Sequence, residues 1–277
     1  MDKTYYIAAN WKMNGSVSFI RDFCNSLITE RSSGPFLKGF SNAFLSNLKN
    51  SFKPESSNIN QMIICPPDIY LEELKNNAPD FIRIGSQNIS SNDEGAFTGE
   101  CSGKMLIDNQ ITYTIIGHSE RREYHQESNE LIKLKLNKAF DNNLIPILCI
   151  GESIEQREAN QTFDVIEQQI SSVLDPKVLS ENKPILIAYE PIWAIGSGLS
   201  ATPEMANEVH AYINKLLEDL CSSRDLIPIL YGGSMNASNA KELLQMEHIH
   251  GGLIGGASLD ATEFLKIYNI AEELRNG

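Results

Sequence analysis

The stretch "PILIAYEPIWAIGSG", residues 184–198, runs from an apolar segment into a carboxylate. Pro184-Ile185-Leu186-Ile187 is a short greasy run of the kind that forms a strand buried on both faces. It ends almost at once in Glu190, Pro191 then fixes the turn, and Gly196-Ser197-Gly198 closes the stretch. A charge at the end of a buried strand, followed by a stiff loop with a glycine end, needs a reason.

Working outward, the same kind of run recurs along the chain. Strand candidates begin with Tyr5–Ala9, Met62–Cys65, Ile82–Ser86 and Tyr113–Ile116. Leu144–Cys149, Ile185–Tyr189, Ile227–Tyr231 and Gly252–Ile254 complete the set. Between them the apolar period changes to that of helices, as in Phe19, Phe23, Leu27 and in Ile132, Leu136, Ala139, Phe140. Strands that alternate with helices pair in parallel and have both faces covered. Eight such units in 277 residues predict a single-domain α/β fold, a closed (β/α)8 barrel over 1–277. An open doubly wound sheet is the alternative, but its G-x-G-x-x-G fingerprint after the first strand is absent.

Residues 31–61 interrupt the alternation and read as an extra helical insertion between the first helix and the second strand. Phe36, Phe40, Phe44, Leu48 and Phe52 recur at i, i+4, so an amphipathic helix is expected there. Ser32-Ser33-Gly34-Pro35 breaks it from the preceding helix, and the stretch from Pro54 to Asn60 reads as a polar loop. A connection from helix to strand lies on the N-terminal face of a barrel, away from the catalytic end. The segment reads as a surface extension, with an oligomer contact as the alternative.

The net charge of −13 argues against nucleic acid as a partner, since phosphate backbones require a basic face. No apolar stretch is long enough to span a membrane, and Met1-Asp2-Lys3-Thr4-Tyr5-Tyr6 resembles no signal or transit peptide. Cys24, Cys65, Cys101, Cys149 and Cys221 are odd in number and form no C-x-x-C pair. They read as reduced thiols, and a cytoplasmic protein is expected.

In a barrel the functional groups gather where strands end. The first strand leads into Asn10-Trp11-Lys12-Met13-Asn14-Gly15, and the fourth into Gly117-His118-Ser119-Glu120-Arg121-Arg122. The fifth ends in Cys149-Ile150-Gly151-Glu152 and the sixth in Glu190. The last two run into Gly232-Gly233-Ser234 and Gly255-Gly256. Glycine-rich turns after the last two strands suit a phosphate, because their backbone N–H groups are unobstructed. A carboxylate, an imidazole and an ammonium beside such a pocket suit proton abstraction next to a carbonyl, with no metal or cofactor needed.

Taken together, Asn10 to Gly15, "GAFTGE" (95–100), "IGHSERR" (116–122), "CIGE" (149–152), "AYEPIWAIGSG" (188–198), "YGGS" (231–234) and "GGASL" (255–259) closely resemble the triosephosphate isomerase family, in that family's order. The resemblance implies interconversion of dihydroxyacetone phosphate and D-glyceraldehyde 3-phosphate through a cis-enediolate, with a small phosphorylated triose as the partner. It makes Glu190 the proton-shuttling base, in an apolar setting expected to lift its basicity, and His118 a neutral hydrogen-bond donor. Lys12 would supply positive charge to the substrate, Asn10 would orient that substrate, and Glu120 would pair with Lys12. Gly196, Ser197, Ser234, Gly255 and Gly256 would bind the substrate phosphate. Thr98 would reach into a second copy of the chain, giving a homodimer.

Other phosphate-binding barrels fit less well. An aldolase would want a Schiff-base lysine on a different strand, and a metal-dependent epimerase a His/Asp ligand set. A catalytically silent barrel would be expected to lack Lys12, His118 or Glu190, all of which are present. Arg121 and Glu100 read as structural partners of each other. His248-Ile249-His250 could ligate a metal from a strand, but no carboxylate or cysteine cluster accompanies it, so no metal is expected. Three features depart from the family pattern besides the insertion's length. Ser197 stands where threonine is usual, His250 where aspartate is usual, and the helix "ANEVHAYINKLL" (206–217) lacks the arginine that would pair with that aspartate.

Overall fold

Alternation along each apolar run decides which side chains point into the barrel. Ile7 and Ala9 pack outward among the helices, whereas Ala8 between them packs inward with Ile63, Tyr113, Ile147, Leu186 and Leu230. Both faces are therefore dry, which is why the strands read as continuous apolar runs rather than alternating ones. The computed structural model describes residues 3–33, 60–194, 201–221 and 226–277.

Within these residues the strands are β1 Tyr6–Asn10, β2 Gln61–Cys65, β3 Ile82–Ser86, β4 Tyr113–Ile116, β5 Ile145–Ile150, β6 Leu186–Tyr189, β7 Ile229–Tyr231 and β8 Gly251–Ile254. They close in sequence order into a parallel barrel, as expected. Tyr6 opposes Gln61 on one side and Gly251 on the other, which joins the first strand to the last. The run predicted as the seventh strand starts two residues late. Proline at 228 has no N–H to give to the ladder, and only its carbonyl takes part, accepting from Ile187 N–H.

Helices sheathe the barrel: α1 Val17–Ser33, α2 Leu71–Asn77, α3 Gly103–Asp108, α4 Ser119–Tyr124, α5 Asn129–Asp141 and α6 Ile154–Glu158. They continue as α7 Thr162–Val173, α8 Pro176–Leu179, α9 Pro203–Leu220, α10 Ala240–Leu244 and α11 Ala261–Asn276. Their starts are set locally. Ser128 accepts from Leu131 N–H at the head of α5, and Ser153 forms a reciprocal capping box with Gln156 at the head of α6. Thr202 caps α9 ahead of Pro203 in its first turn. The face of α9 carrying Val209, Ile213 and Leu217 is buried, each of these side chains contributing ~1.5–3 kcal/mol by leaving water.

Residues 34–59 lie outside the described residues, and the amphipathic helix expected over Phe36–Phe52 falls among them. The downstream flank of that segment is anchored at the N-terminal end of the barrel. Asn60 Oδ1 accepts from Tyr5 N–H, and Asn60 O accepts from the Tyr268 hydroxyl. None of the described helices is long and apolar enough to cross a membrane.

Candidate active site

Closure of the barrel brings the C-terminal ends of β1, β4, β6, β7 and β8 to one mouth. Just past β1 the backbone turns sharply. Lys12 has φ +52°, the left-handed region that a residue with a Cβ adopts at a cost. Its N–H is held by Asn10 Oδ1 at 3.0 Å, and its carbonyl accepts from Gln87 Nε2, which also bonds Cys65 O. This local kink aims the ammonium across the mouth to Glu120 Oε1, 2.7 Å away. Lys12 Cε also passes 3.6 Å from where a side chain on Gly255 would begin, so the cation stands directly beside the turn after β8.

His118 follows β4 and caps α4. Its Nδ1 accepts the N–H of Glu120, which requires that nitrogen to be unprotonated and places the proton on Nε2. Nε2 lies 3.0 Å from Glu190 Oε1. Burial acts to lower the His118 pKa, but the Glu190 and Glu120 carboxylates outweigh it and the group sits above an ordinary imidazole.

Glu190 is almost fully buried and is fastened from several sides. Its Oε2 accepts the N–H of Ser119 at 3.0 Å, its Oε1 faces the Ser119 hydroxyl at 3.3 Å, and its own N–H bonds Ile150 O at 2.7 Å. The expectation of a raised pKa is reversed in this arrangement. Burial does push the carboxyl up, yet His118, the Ser119 N–H and Lys12 together hold it below the usual carboxylate range. Room for the group comes from two glycines. A Cβ on Gly151 would overlap the Glu190 carbonyl, and one on Gly232 would stand 2.9 Å from Glu190 Cγ.

The turns after β7 and β8 supply donors. Among the described residues the N–H groups of Ser234, Gly255 and Gly256 have no acceptor, and nothing lies within 4 Å of the space where a Gly256 side chain would stand. The Ser234 hydroxyl is otherwise engaged, donating to Ala194 O at 2.9 Å, and so ties the turn to the stem that follows Glu190. Gly196 and Ser197, the remaining expected phosphate contacts, lie outside the described residues.

The structure thus brings Asn10, Lys12, Glu120, His118 and Glu190 into one connected chain of polar contacts, with the Gly255 turn alongside. Three contributors were not assigned roles from the sequence. Ser119 and Glu152 both fall inside recognisable motifs, so a signal existed for each. Glu152 is fully buried, and its Oε1 accepts from Tyr189 Oη, Trp193 Nε1 and, at 3.4 Å, Thr162 Oγ1. It clamps the residue before Glu190 to the stem after it. Gln87 had no such signal, since its role depends on β3 lying near β1.

Two expectations are corrected. Arg121 pairs with Glu127 at 2.6 Å rather than with Glu100, because the loop after α4 brings Glu127 back within reach. His248-Ile249-His250 is not on a strand: His248 lies in a turn and His250 immediately precedes β8. There His250 Nδ1 faces Ile229 N–H, while His210 Nδ1 bonds His248 O and Asn207 Oδ1 accepts from His248 N–H. Neutral hydrogen bonds therefore link α9 to the approach of β8, where an Asp–Arg pair would be usual. Among the described residues no group of three or more His, Cys, Asp or Glu is placed to hold a metal.

The sequence model of the family described as triosephosphate isomerase matches residues 38–271. Among curated proteins, the triosephosphate isomerase of Shewanella pealeana is 40% identical over 274 residues, covering 96% of each chain. That of Herminiimonas arsenicoxydans is 42% identical over 267 residues, covering 96% of this chain and 98% of its own. That of Shewanella baltica is 42% identical over 274 residues, covering 96% of each.

Proposed function

The chain belongs to the triosephosphate isomerase family and interconverts triose phosphates, and from that premise we propose how its residues divide the work. Dihydroxyacetone phosphate enters with its phosphate on the N–H groups of Ser234, Gly255 and Gly256, supported by Gly196 and Ser197. The unpaired donors of the two turns support this reading, as does Lys12 beside them. Glu190 leaves its bonds to Ser119 and His118 and takes a proton from C1. The electron pair moves into the C1–C2 bond, and negative charge develops on the carbonyl oxygen.

His118 Nε2–H and the Lys12 ammonium stabilise that oxygen, Asn10 holds Lys12 in place and Glu120 orients it. His118 passes the O1 hydroxyl proton to O2, and Glu190 returns its own proton at C2, which yields D-glyceraldehyde 3-phosphate with atoms and charge balanced. The observation that carries this assignment is the 3.0 Å contact between His118 Nε2 and Glu190 Oε1, which brings a carboxylate and an N–H donor together at one point of the mouth. A coupled assay on the wild type and on Glu190→Asp tests it. The shorter side chain is expected to lower kcat by orders of magnitude, and full activity in that variant would remove Glu190 as the base.

We read the chain as a homodimer. Thr98 is exposed on the loop after β3, and Met13, Ile69 and Phe97 expose apolar side chains on the loops after β1, β2 and β3. A cytoplasmic home agrees with five free thiols, and the acidic charge argues against nucleic acid or an anionic membrane as a partner. We take residues 31–61 as an insertion within a single barrel domain.

A further inference from the structure

We propose that Gln169 is a positioning residue for the isomerisation: from α7 its side-chain amide grips both backbone groups of Gly151, and through them it sets where Glu190 stands. This rests on the reading of Glu190 as the base. Gln169 Oε1 accepts the Gly151 N–H at 2.8 Å, and Gln169 Nε2 donates to the Gly151 carbonyl at 3.0 Å. A primary amide carries an acceptor and a donor side by side, so one side chain completes the pair as a neighbouring strand would. Gln169 stands on the helix face that buries Ile166, Ile170 and Val173, one turn from the first and the last of these. It is thus a polar side chain in an apolar stripe, turned toward the end of β5.

Gly151 is where such a grip has consequences. Residues 150–152 back residues 190–192 rung by rung: Ile150 O accepts the Glu190 N–H at 2.7 Å, and Glu152 O accepts the Ile192 N–H at 3.2 Å. Between these rungs a Cβ on Gly151 would stand 1.8 Å from the Glu190 carbonyl oxygen, so the two backbones touch directly. Glycine permits this approach, yet it brings no side chain to anchor itself and has more backbone freedom than any other residue. Gln169 supplies the anchor that Gly151 lacks. A slip of Gly151 is passed to Glu190, whose carboxylate lies 3.0 Å from His118 Nε2 and 3.0 Å from the Ser119 nitrogen. Burial pushes the Glu190 carboxyl up, and these two contacts with Lys12 hold it below the usual range, so a displaced Glu190 titrates higher.

The test compares Gln169→Met, similar in length but without either bond, with Gln169→Glu, both in the full chain. Gln169→Met should lower kcat about tenfold or more and keep KM within about twofold, since the donors after β7 and β8 are untouched. In the same variant the Glu190 carboxyl, followed by carbon NMR and assigned with Glu190→Gln, should titrate above its wild-type value. Gln169→Glu keeps the acceptor for the Gly151 N–H, but when ionised it turns a second oxygen on the Gly151 carbonyl; when protonated it restores a donor there. Its kcat relative to wild type should therefore rise as pH falls from about 8 to about 5. Ile166→Val, on the same helix face, removes one methylene and no hydrogen bond; it controls for lost stability and should keep kcat within about twofold. The proposal is overturned if Gln169→Met melts lower yet keeps wild-type kcat, if the Glu190 titration does not move, or if the Gln169→Glu ratio is flat with pH. Gln169→Glu carries the test alone should Gln169→Met not fold. Full activity in Glu190→Asp would sink the reading of Glu190 as the base, whereas an unmoved titration beside an impaired Glu190→Asp sinks the role of Gln169 alone.

Discussion

Gly151 and Glu190, which directly follow the adjoining strands β5 and β6, lie so close that a single methyl group on Gly151 would overlap the Glu190 carbonyl. Glu190 is therefore positioned from behind by the absence of a side chain. Gly151→Ala should displace the end of β6 and Glu190 with it. We expect kcat to fall at least tenfold with KM little changed, and stability to drop by ~1–3 kcal/mol from overpacking. Steady-state kinetics and urea melts on the same variant check both.

The pair between Lys12 and Glu120 is 2.7 Å long, yet both side chains are partly exposed. Such pairs contribute ~0.2–1 kcal/mol to stability. Glu120→Gln should leave the melting temperature within a degree or two and lower kcat/KM by about two- to tenfold, because the ammonium loses its aim. A stability loss larger than the kinetic effect would mark the pair as structural.

Two buried histidines give the fold a weakness to acid. Burial lowers His210 from 6.5 to about 3 and His250 from 6.5 to about 4. The unfolded chain therefore binds more protons than the folded one below pH 6.5. The contribution of these two histidines should be flat above that point and fall as pH drops toward 4, by up to ~1.4 kcal/mol per pH unit for each. His210→Gln should reduce the slope, and His210→Gln with His250→Asn should reduce it further. Denaturant midpoints measured across this range decide the matter.

Glu152 joins Tyr189 and Trp193 through one oxygen. Glu152→Leu removes the acceptor shared by the Tyr189 hydroxyl and the Trp193 indole N–H, costing ~2–4 kcal/mol in total. It should also loosen the stem after Glu190 and so lower kcat, because Glu190 is then held less firmly. Trp193 fluorescence shifting toward that of a solvated indole, against a Trp193→Phe control, would report the loosened stem.

The fold was readable because each strand is buried on both faces, so composition alone marks it. Strand ends were legible to within about two residues, and the shift at Pro228 follows from its missing N–H. Asn10, Lys12, His118 and Glu190 could be named because strand ends converge by topology. The state of those groups was not legible. The lowered pKa of Glu190 depends on Ser119 and His118 being turned toward it, a matter of side-chain placement across separate strands. The pairing of Arg121 with Glu127 was missed for the same reason: a loop of a few residues selects one of two plausible carboxylates.

The left-handed backbone at Lys12 has an evolutionary consequence. Glycine or asparagine would relax that conformation by roughly 1 kcal/mol, so directed evolution for heat resistance alone should drift toward them at this position. Each such step would discard the cation of the mouth. Selection for durability and selection for turnover therefore oppose one another at a single codon, and libraries built for robustness should hold it constant.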